Sequence, residues 1–431
     1  MTLQDLLDPV LDASFKGFPH HSAPLRRSAI GRQNWNVLQG DLPLPLAVIR
    51  RDALTHNLTW MQNFAKERGI GMAPHGKTTM SPQLFQRQLE AGAWGMTFAN
   101  VTQVRAGVAA GAQRCLIANQ VFAAIDLQGI DDLKRAHAGT NSTLRIVFLV
   151  DSIAQLALIE GWFTTHPGTE PFEVLLEMGV EGGRSGCREH GQALALSTRL
   201  HASPAVQLVG IECYEGLAAT GNTQADVAYA AKLMARVTDI AKACDAQSLF
   251  EHDEILITAG GSAIFDLVAD HLQPVLSRPV RGLLRSGCYV THDQGNYKRM
   301  MSAITSRLGC GDGLHAALEV WAAVQSRPEP GLAILTVGKR DISYDQEMPS
   351  TLMFCKRGTV TPQPTPADWA ITGLNDQHAY LRWSGPVSES LQVGDLVCLG
   401  ISHPCTTFDK WRWMPLVDAQ YTVCDAIVTC F

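Results

Sequence analysis

A lysine with chemical potential lies in the segment Met72-Ala73-Pro74-His75-Gly76-Lys77-Thr78-Thr79. The segment follows a short apolar run and precedes a helical pattern, so Lys77 is expected at the carboxyl end of an early strand. An amine held beside an apolar strand and partly out of water suits Schiff-base chemistry with a carbonyl compound. On spacing alone, however, an ordinary surface lysine is the commoner explanation.

Two glycine-containing turns could bind an anion. The run Ile257–Ser262 reads as a strand that delivers the turn Gly260-Gly261-Ser262 onto a helix, and Arg285-Ser286-Gly287-Cys288-Tyr289 follows a later strand. Backbone N–H groups in such a turn, together with a helix N-terminus, form an anion site. A Gly-Gly-Ser turn by itself is more often only a turn.

An arginine and a tyrosine follow two other predicted strands. Arg184 lies in a glycine-rich turn after the strand that ends near Glu177, and Tyr214 comes directly after the strand ending at Cys213. Both positions would face the same end of a parallel sheet as Lys77. The alternatives are a turn arginine paired with Glu181 and a half-buried aromatic ring at the sheet rim.

A histidine and a cysteine stand two positions apart near the C-terminus, at His403 and Cys405. In an extended segment such residues point to the same side, and imidazole with thiolate favours zinc. A lone His-x-Cys pair is commonly structural, and it offers one protein ligand fewer than a catalytic zinc usually has.

These residues are positioned by alternating strand and helix patterns from about residue 45 to residue 290. Such alternation indicates repeated βα units, and the absence of an early dinucleotide fingerprint favours an eight-stranded barrel over an open sheet. Nine candidates are one more than a barrel needs, so one terminal strand is expected outside it. The candidates are Leu46–Arg50, Ile70–Ala73, Gly95–Ala99, Arg114–Ala118, Leu144–Val150, Phe172–Glu177, Gln207–Cys213, Glu254–Ala259 and Val280–Leu284.

The pattern changes after about residue 295, where short strands alternate with turns rich in Pro, Gly and Asp. The expected strands are Ala333–Val337, Tyr380–Trp383, Leu396–Leu399 and Tyr421–Val428, and residues 360–378 read as a surface loop. We therefore predict an α/β chain with three parts. They are an extension over 1–44 that packs on the later β domain, a (β/α)8 barrel over 45–294, and a smaller β domain over 295–431.

The composition is that of a globular protein. Of 431 residues, 46% are hydrophobic and 18% charged, and the net charge of −6 is not gathered into runs. Neither a nucleic acid nor a membrane is indicated as a partner, and a cytoplasmic location is the default expectation. The eleven cysteines are an odd number, mostly in apolar segments, which argues against a disulfide framework.

Together, these motifs resemble the D-serine dehydratase and D-threonine aldolase family, whose members are fold-type III pyridoxal-phosphate enzymes with an alanine-racemase-like N-terminal domain. Pro-His-x-Lys-Thr is similar to the cofactor lysine motif of that family, Gly-Arg-x-Gly to its ring-contacting arginine segment, and Arg-x-Gly-x-Tyr to a phosphate-binding segment. Ser286 replaces the family's usual proline, and Leu217-Ala218-Ala219 departs from its His- or Tyr-containing pattern.

The resemblance implies that Lys77 is the catalytic lysine and holds pyridoxal 5′-phosphate. His403 and Cys405 match the metal pair of the D-serine dehydratases, with zinc as the implied ion, whereas D-threonine aldolases typically carry aspartate at the second position. The remaining implied cofactor-binding residues are His75, Arg184, Tyr214, Gly260, Gly261, Ser262, Gly287, Cys288 and Tyr289.

The activity implied by the resemblance is zinc-assisted α,β-elimination of a small D-3-hydroxy amino acid, such as D-serine, to a 2-oxo acid and ammonia. Three alternatives stay open: retro-aldol cleavage of a similar substrate, racemisation, and a non-catalytic pyridoxal-phosphate carrier. Cys405 argues mildly against retro-aldol cleavage, racemisation lacks an identifiable second base, and a carrier would not need the β domain. The resemblance also implies a homodimer.

Overall fold

A computed structural model of the chain describes residues 3–138, 144–384 and 391–431. Residues 3–44 contain little regular structure and contact the C-terminal sheet. Phe18 is fully buried, and its ring packs 5.5 Å from the ring of Trp413. The elements that lead into the barrel are α1 (Leu3–Leu7), β1 (Val10–Leu11), β2 (Leu25–Arg26), α2 (Arg27–Ile30), a 3-10 turn at Val37–Gln39, β3 (Leu46–Arg50) and α3 (Arg51–Glu67).

Eight parallel strands form the barrel. They are β4 (Gly71–Met72), β5 (Met96–Phe98), β6 (Arg114–Gln120), β7 (Arg145–Val150), β8 (Phe172–Met178), β9 (Val206–Cys213), β10 (Ile255–Ala259) and β11 (Val280–Leu284). The pairing order is β4-β11-β10-β9-β8-β7-β6-β5, and β4 meets β5 where the N–H of Trp94 donates to the Met72 carbonyl at 2.7 Å. Inward-facing aliphatic side chains such as Leu175 and Leu256 form a separate cluster that fills the barrel.

Helices follow the strands and bury their apolar faces against the outside of the barrel. Several begin at side-chain caps, since Asn100, Ser152 and Asn222 each accept a hydrogen bond from an N–H in the first turn. The helices are α4 (Pro82–Glu90), α5 (Val101–Ala109), α6 (Ala124–His137), α7 (Ile153–Thr164), α8 (His190–His201), α9 (Thr223–Ala246), α10 (Phe265–Ala269) and α11 (Asn296–Leu308). One-turn 3-10 segments at Gly76–Thr78, Gly216–Ala218 and Cys288–Val290 follow β4, β9 and β11.

The C-terminal part is a largely antiparallel sheet. Its elements are β12 (Leu318–Glu329), β13 (Leu332–Leu335), β14 (Ser350–Cys355), β15 (Gln363–Pro364), β16 (Ala370–Leu374), β17 (Ala379–Arg382), β18 (Leu396–Gly400), α12 (Cys405–Phe408), β19 (Trp413–Val417) and β20 (Val423–Val428). Strand β3 pairs antiparallel with β12 and parallel with β19. The first of the nine predicted strands therefore lies outside the barrel.

The predicted α/β fold, a barrel followed by a smaller β domain, is confirmed. The prediction of a continuous surface loop over 360–378 is wrong, because β16 lies within it and pairs with β17. Its Ile371 and Leu374 are buried three positions apart because an irregularity shifts the register between Ile371 and Gly373, so the sequence shows no strand-like alternation there. Among the described helices, none combines the length and apolarity needed to cross a membrane.

Candidate active site

A cavity of about 290 Å³ opens at the carboxyl ends of the barrel strands, beside loops of the C-terminal sheet. This is the end at which barrel enzymes place their active sites. Most of the site residues predicted from the sequence line it together. Those residues are His75, Lys77, Arg184, Tyr214, Gly260, Ser262, Gly287, Cys288, His403 and Cys405.

Lys77 sits in the 3-10 turn that follows β4. Gly76 permits this turn, because a Cβ there would lie 2.5 Å from the Phe98 ring and 2.9 Å from Phe85. The side chain of Lys77 lines the cavity and remains exposed. A two-residue strand and a tight turn thus hold the amine at the barrel end.

His75 presents an unpartnered ring nitrogen. Its Nδ1 is buried and has no hydrogen-bond partner among the described residues. Burial, then the charges of Lys77, Arg285 and Arg184, lower the pKa of His75 well below its usual value. The ring is therefore neutral at physiological pH, and its free nitrogen can contact a bound molecule.

The first glycine turn is partly occupied by a residue that sequence reasoning missed. The Glu215 carboxylate accepts hydrogen bonds from the N–H groups of Gly260 at 3.0 Å and Gly261 at 2.7 Å. Gly261 does not line the cavity, so of this turn Gly260 and Ser262 face it. In the sequence, the one indication of a role for Glu215 is its place directly after Tyr214, at the end of a strand.

The second turn touches the lysine turn. A Cβ at Gly287 would lie 2.5 Å from Thr78 Oγ1 and 2.6 Å from the His75 carbonyl oxygen. Ser286 donates from Oγ to the Gly261 carbonyl at 2.5 Å, which links the two glycine turns. Tyr289 is buried outside the cavity lining and accepts a hydrogen bond from Gln88 at 3.2 Å. Tyr289, which was predicted to bind the cofactor, therefore packs in the protein core beside the cavity and does not line it.

A buried ion pair lies in the floor of the cavity. Arg285 and Glu212 are both almost fully buried, and their nitrogen and oxygen atoms are 2.7 Å apart. Burial raises the pKa of Glu212 to about 8, although Arg285 opposes the shift. Nearby, the Arg184 guanidinium lies 5.2 Å from the centre of the Tyr214 ring. In the sequence, Glu212 could have been noticed as the one acidic residue within the apolar strand β9.

His403 and Cys405 both line the cavity, but the predicted extended backbone between them is wrong. Cys405 begins helix α12 after Pro404, so the segment is not extended. His403 Nδ1 lies 2.5 Å from the Asp345 carboxylate, which also accepts from Thr406 at 2.6 Å. Burial alone would lower the pKa of His403, but hydrogen bonds with Cys405 and Asp345 outweigh it and raise the pKa to about 9. Asp345 is a third residue, after Glu215 and Glu212, that the sequence analysis did not single out.

The residues present fit both pyridoxal phosphate and a metal ion. The cofactor would find an amine at Lys77, a cation at Arg184, a free nitrogen at His75 and backbone donors at Ser262 and at the start of the Cys288–Val290 turn. A metal would find an imidazole oriented by a carboxylate, with a thiol beside it.

Comparisons with known proteins agree with this geometry. Residues 49–277, more than half of the chain, match the model described as "Alanine racemase, N-terminal domain", and residues 317–417 match "Putative serine dehydratase domain". The chain belongs to the alanine racemase N-terminal-domain family. The resemblance to fold-type III pyridoxal-phosphate enzymes of the D-serine dehydratase and D-threonine aldolase group is thereby confirmed.

Relatives within the family act on hydroxylated D-amino acids. D-threonine aldolase of an Arthrobacter species is 26% identical over 373 residues, 86% of each chain. The 3-hydroxy-D-aspartate aldolase of Paracoccus denitrificans is 24% identical, over 72% of this chain and 76% of its own.

Solved structures show the same fold. D-threonine aldolase from Filomicrobium marinum superposes with a TM-score of 0.75 at 22% identity, covering 90% of this chain and 95% of its own. D-threo-3-hydroxyaspartate dehydratase from Delftia sp. HT23 gives 0.72 at 23% identity, covering 90% and 98%. Variants of a D-threo-3-hydroxyaspartate dehydratase replace a histidine and a cysteine two positions apart, and the cysteine variant is described in a metal-free form.

Proposed function

We propose that the chain is a pyridoxal-phosphate enzyme that eliminates water from a D-3-hydroxy amino acid such as D-serine, with help from zinc. The observation that carries this proposal is that Lys77 lines the same cavity as His403 and Cys405. An amine for proton transfer at Cα thus faces ligands for an ion that would bind the leaving oxygen. The products would be a 2-oxo acid and ammonia.

Each side chain has a defined part in this proposal. Bound pyridoxal phosphate would draw electrons from the substrate Cα, and a metal would stabilise the departing hydroxyl oxygen. Lys77 would remove the Cα proton. Arg184 and His75 would orient the cofactor ring, while the turns at Gly260–Ser262 and Gly287–Cys288 would hold its phosphate.

Retro-aldol cleavage is the second candidate. It is favoured by the curated relatives, two of which carry the names D-threonine aldolase and 3-hydroxy-D-aspartate aldolase. Elimination is favoured by the thiol at Cys405, a soft ligand suited to zinc, and by the dehydratase among the structural relatives. The two reactions differ in which bond breaks, Cβ–O or Cα–Cβ.

A non-catalytic carrier of pyridoxal phosphate is the alternative of another class. Gln346, His403 and Cys405, which belong to the C-terminal part, line the cavity together with Lys77. A carrier has no use for metal ligands that face the cofactor lysine. We also expect a cytoplasmic homodimer, as the resemblance implies.

A product assay separates these candidates. The purified protein, loaded with pyridoxal phosphate and zinc, is incubated with D-serine, D-threonine, 3-hydroxy-D-aspartate and their L-enantiomers. Elimination yields ammonia and a 2-oxo acid, whereas retro-aldol cleavage yields glycine and an aldehyde. Glycine with aldehyde and no ammonia would overturn the proposal in favour of the second candidate, and no product from any substrate would favour the carrier.

The lysine assignment is tested in the same assay. Lys77→Ala should lose the visible absorbance of the bound cofactor and all turnover, while Lys66→Ala, an exposed lysine on α3, should keep both. An unchanged cofactor spectrum in Lys77→Ala would contradict the assignment.

A further inference from the structure

We infer that His56, Asp312 and His315 form a binding site for a divalent transition-metal ion such as zinc. The site lies outside the cavity lining, on the surface where helix α3 meets the connection from α11 to β12. His56 belongs to α3, whereas Asp312 and His315 belong to the connection. An ion held here would fasten α3 to the segment that leads into the C-terminal sheet. It would be separate from any metal at His403 and Cys405.

The ligand atoms of the three side chains lie close together. One imidazole nitrogen of each histidine and one carboxylate oxygen of Asp312 all lie within 4.8 Å of one another. Asp312 Oδ1 is 2.9 Å from His315 Nε2, and Asp312 Oδ2 is 3.6 Å from His56 Nε2. Two ligands of a tetrahedral zinc, each about 2.0–2.1 Å from the ion, are about 3.3 Å apart. Both contacts to the carboxylate are therefore close to the separation that one ion requires.

The two imidazole rings present the same edge to Asp312. Their centroids are 3.9 Å apart and their planes differ by 4°, so the rings stack with both Nε2 atoms beside the carboxylate. His56 Nε2 also donates to the Gly313 carbonyl at 2.7 Å. An ion would replace this hydrogen bond and tilt the two rings toward a common point. The side chain of His315, which is 49% exposed, is free to make that movement.

The backbone that carries the two histidines is fixed by buried hydrogen bonds. Asn57 follows His56 on α3 and is fully buried. Its amide donates from Nδ2 to the His315 carbonyl and accepts from the His315 N–H, both at 2.7 Å. The same Nδ2 donates to the Val290 carbonyl at 3.3 Å. The approach of the two rings is thus set by the core of the protein and not by exposed side chains alone.

The ligand types select the class of ion. Two imidazoles suit zinc, copper or nickel, whereas magnesium and calcium prefer sites made of oxygen atoms. Two neutral imidazoles and one carboxylate leave one positive charge on a divalent ion, which water can solvate at this exposed surface. Three protein ligands also leave the fourth position of a tetrahedral ion to water. The site would therefore hold a hydrated ion that braces two segments of the chain.

Zinc binding to the cofactor-loaded protein tests the inference. Crystals transferred to zinc chloride should show an anomalous difference peak at the zinc edge between the Nε2 atoms of His56 and His315. Equilibrium dialysis against buffered zinc should give a matching ion per chain. His315→Ala should weaken binding of this ion by more than about 100-fold, the upper end of the effect of removing an outer-shell partner.

Two control variants identify the ion that is lost. Cys310→Ala removes a thiol of the same connection, whose Sγ contacts the Asp312 carbonyl at 3.2 Å, and it should bind zinc like the parent. Cys405→Ala should keep the ion at His56 and His315. It thereby separates this site from the metal of the proposed function.

An empty site in the zinc-soaked crystals would overturn the inference, and this observation needs no variant to fold. Equal zinc affinity in the parent and His315→Ala would overturn it as well. A crystal peak without a matching ion in dialysis would show binding at crystal concentration only, which also contradicts a built site. None of these results bears on the proposed reaction, which is decided by the products of the amino acid assay.

Discussion

At the scale of single residues, Asp345 holds the ring of His403, a ligand in the proposed metal site. Its carboxylate accepts from Thr406 and lies 2.5 Å from His403 Nδ1, so Nε2 is the ring nitrogen that a metal would take. Such a carboxylate sets the tautomer and the orientation of a ligating imidazole.

Asp345→Asn should therefore weaken zinc binding without abolishing it. Loss of an outer-shell partner typically lowers metal affinity by about 10- to 100-fold. Competition with a chromophoric chelator measures the change, and Asp376→Asn, an exposed acid of the same domain, serves as control. Equal affinities for the parent and Asp345→Asn would show that the contact does not orient the ring.

A buried histidine makes stability depend on pH. Burial lowers the pKa of His292 to about 4. Between that value and the ordinary pKa of about 6.5 the unfolded chain binds the proton more readily, so stability is full above pH 6.5 and falls on acidification towards pH 4. The largest loss from this group is about 3 kcal/mol.

Urea unfolding of the apoprotein from pH 4 to pH 7 tests this dependence. His292→Asn should show a flatter acid limb, because it removes the buried imidazole. Asparagine also tolerates the φ of 49° at this position. His21→Asn, in an exposed loop, should keep the slope of the parent. Asp293, whose pKa burial raises to about 6, acts in the opposite direction and is present in all three proteins. An identical slope in His292→Asn would contradict the assignment.

At the scale of elements, the site depends on two turns that touch. The Cys288–Val290 turn approaches the Gly76–Thr78 turn so closely that Gly287 has no room for a side chain. The same approach places Cys288 and Thr78 beside Cys405. A single methyl group at position 287 would move the Cys288–Val290 turn and the Gly76–Thr78 turn apart.

Gly287→Ala should destabilise the protein by roughly 1–3 kcal/mol, as expected for overpacking, and weaken binding of pyridoxal phosphate. Gly191→Ala is the matched control, because a Cβ there meets nothing within 4 Å inside α8 and alanine favours helix. Thermal unfolding and cofactor titration give both quantities. A Gly287→Ala protein as stable as the parent would mean that the turns can separate freely.

The sequence predicted the individual strands and motifs better than the contacts between them. Lys77, the glycine turns and the His403–Cys405 pair each lie at a strand end or in a short motif, but the resemblance to the family, and not the local pattern alone, implied their roles. Asp345 could not be predicted, since a lone acid in a loop gains its role only from a partner distant in sequence, and Glu215 offered only its place directly after Tyr214. Strand β3 was ambiguous for the same reason: an apolar run does not say which sheet it joins.

At the scale of the whole molecule, the N-terminal residues bind the barrel to the C-terminal sheet. Asp425 on β20 pairs with Arg27 at 2.5 Å and with Arg87 on barrel helix α4 at 2.8 Å. Leu11, Phe18 and Ile30 are fully buried. The extension is thus part of the common core.

Removal of residues 1–31 should therefore prevent cooperative folding. Each large apolar side chain contributes about 1.5–3 kcal/mol on burial, and several together approach the total stability of about 5–15 kcal/mol. Calorimetry should show no cooperative transition for this deletion, while a chain that lacks only residues 1–4 should unfold like the parent. A sharp transition at the parent's temperature would show that the extension is dispensable.

The position of β3 also affects how the chain folds while it is being synthesised. Its residues Leu46–Ile49 are fully buried between β12 and β19. Strand β12 is synthesised about 270 residues later, a delay on the order of tens of seconds at about 5–20 residues per second. Throughout that interval the nascent chain carries an apolar strand with two open edges, so co-expression of holding chaperones should raise the soluble yield.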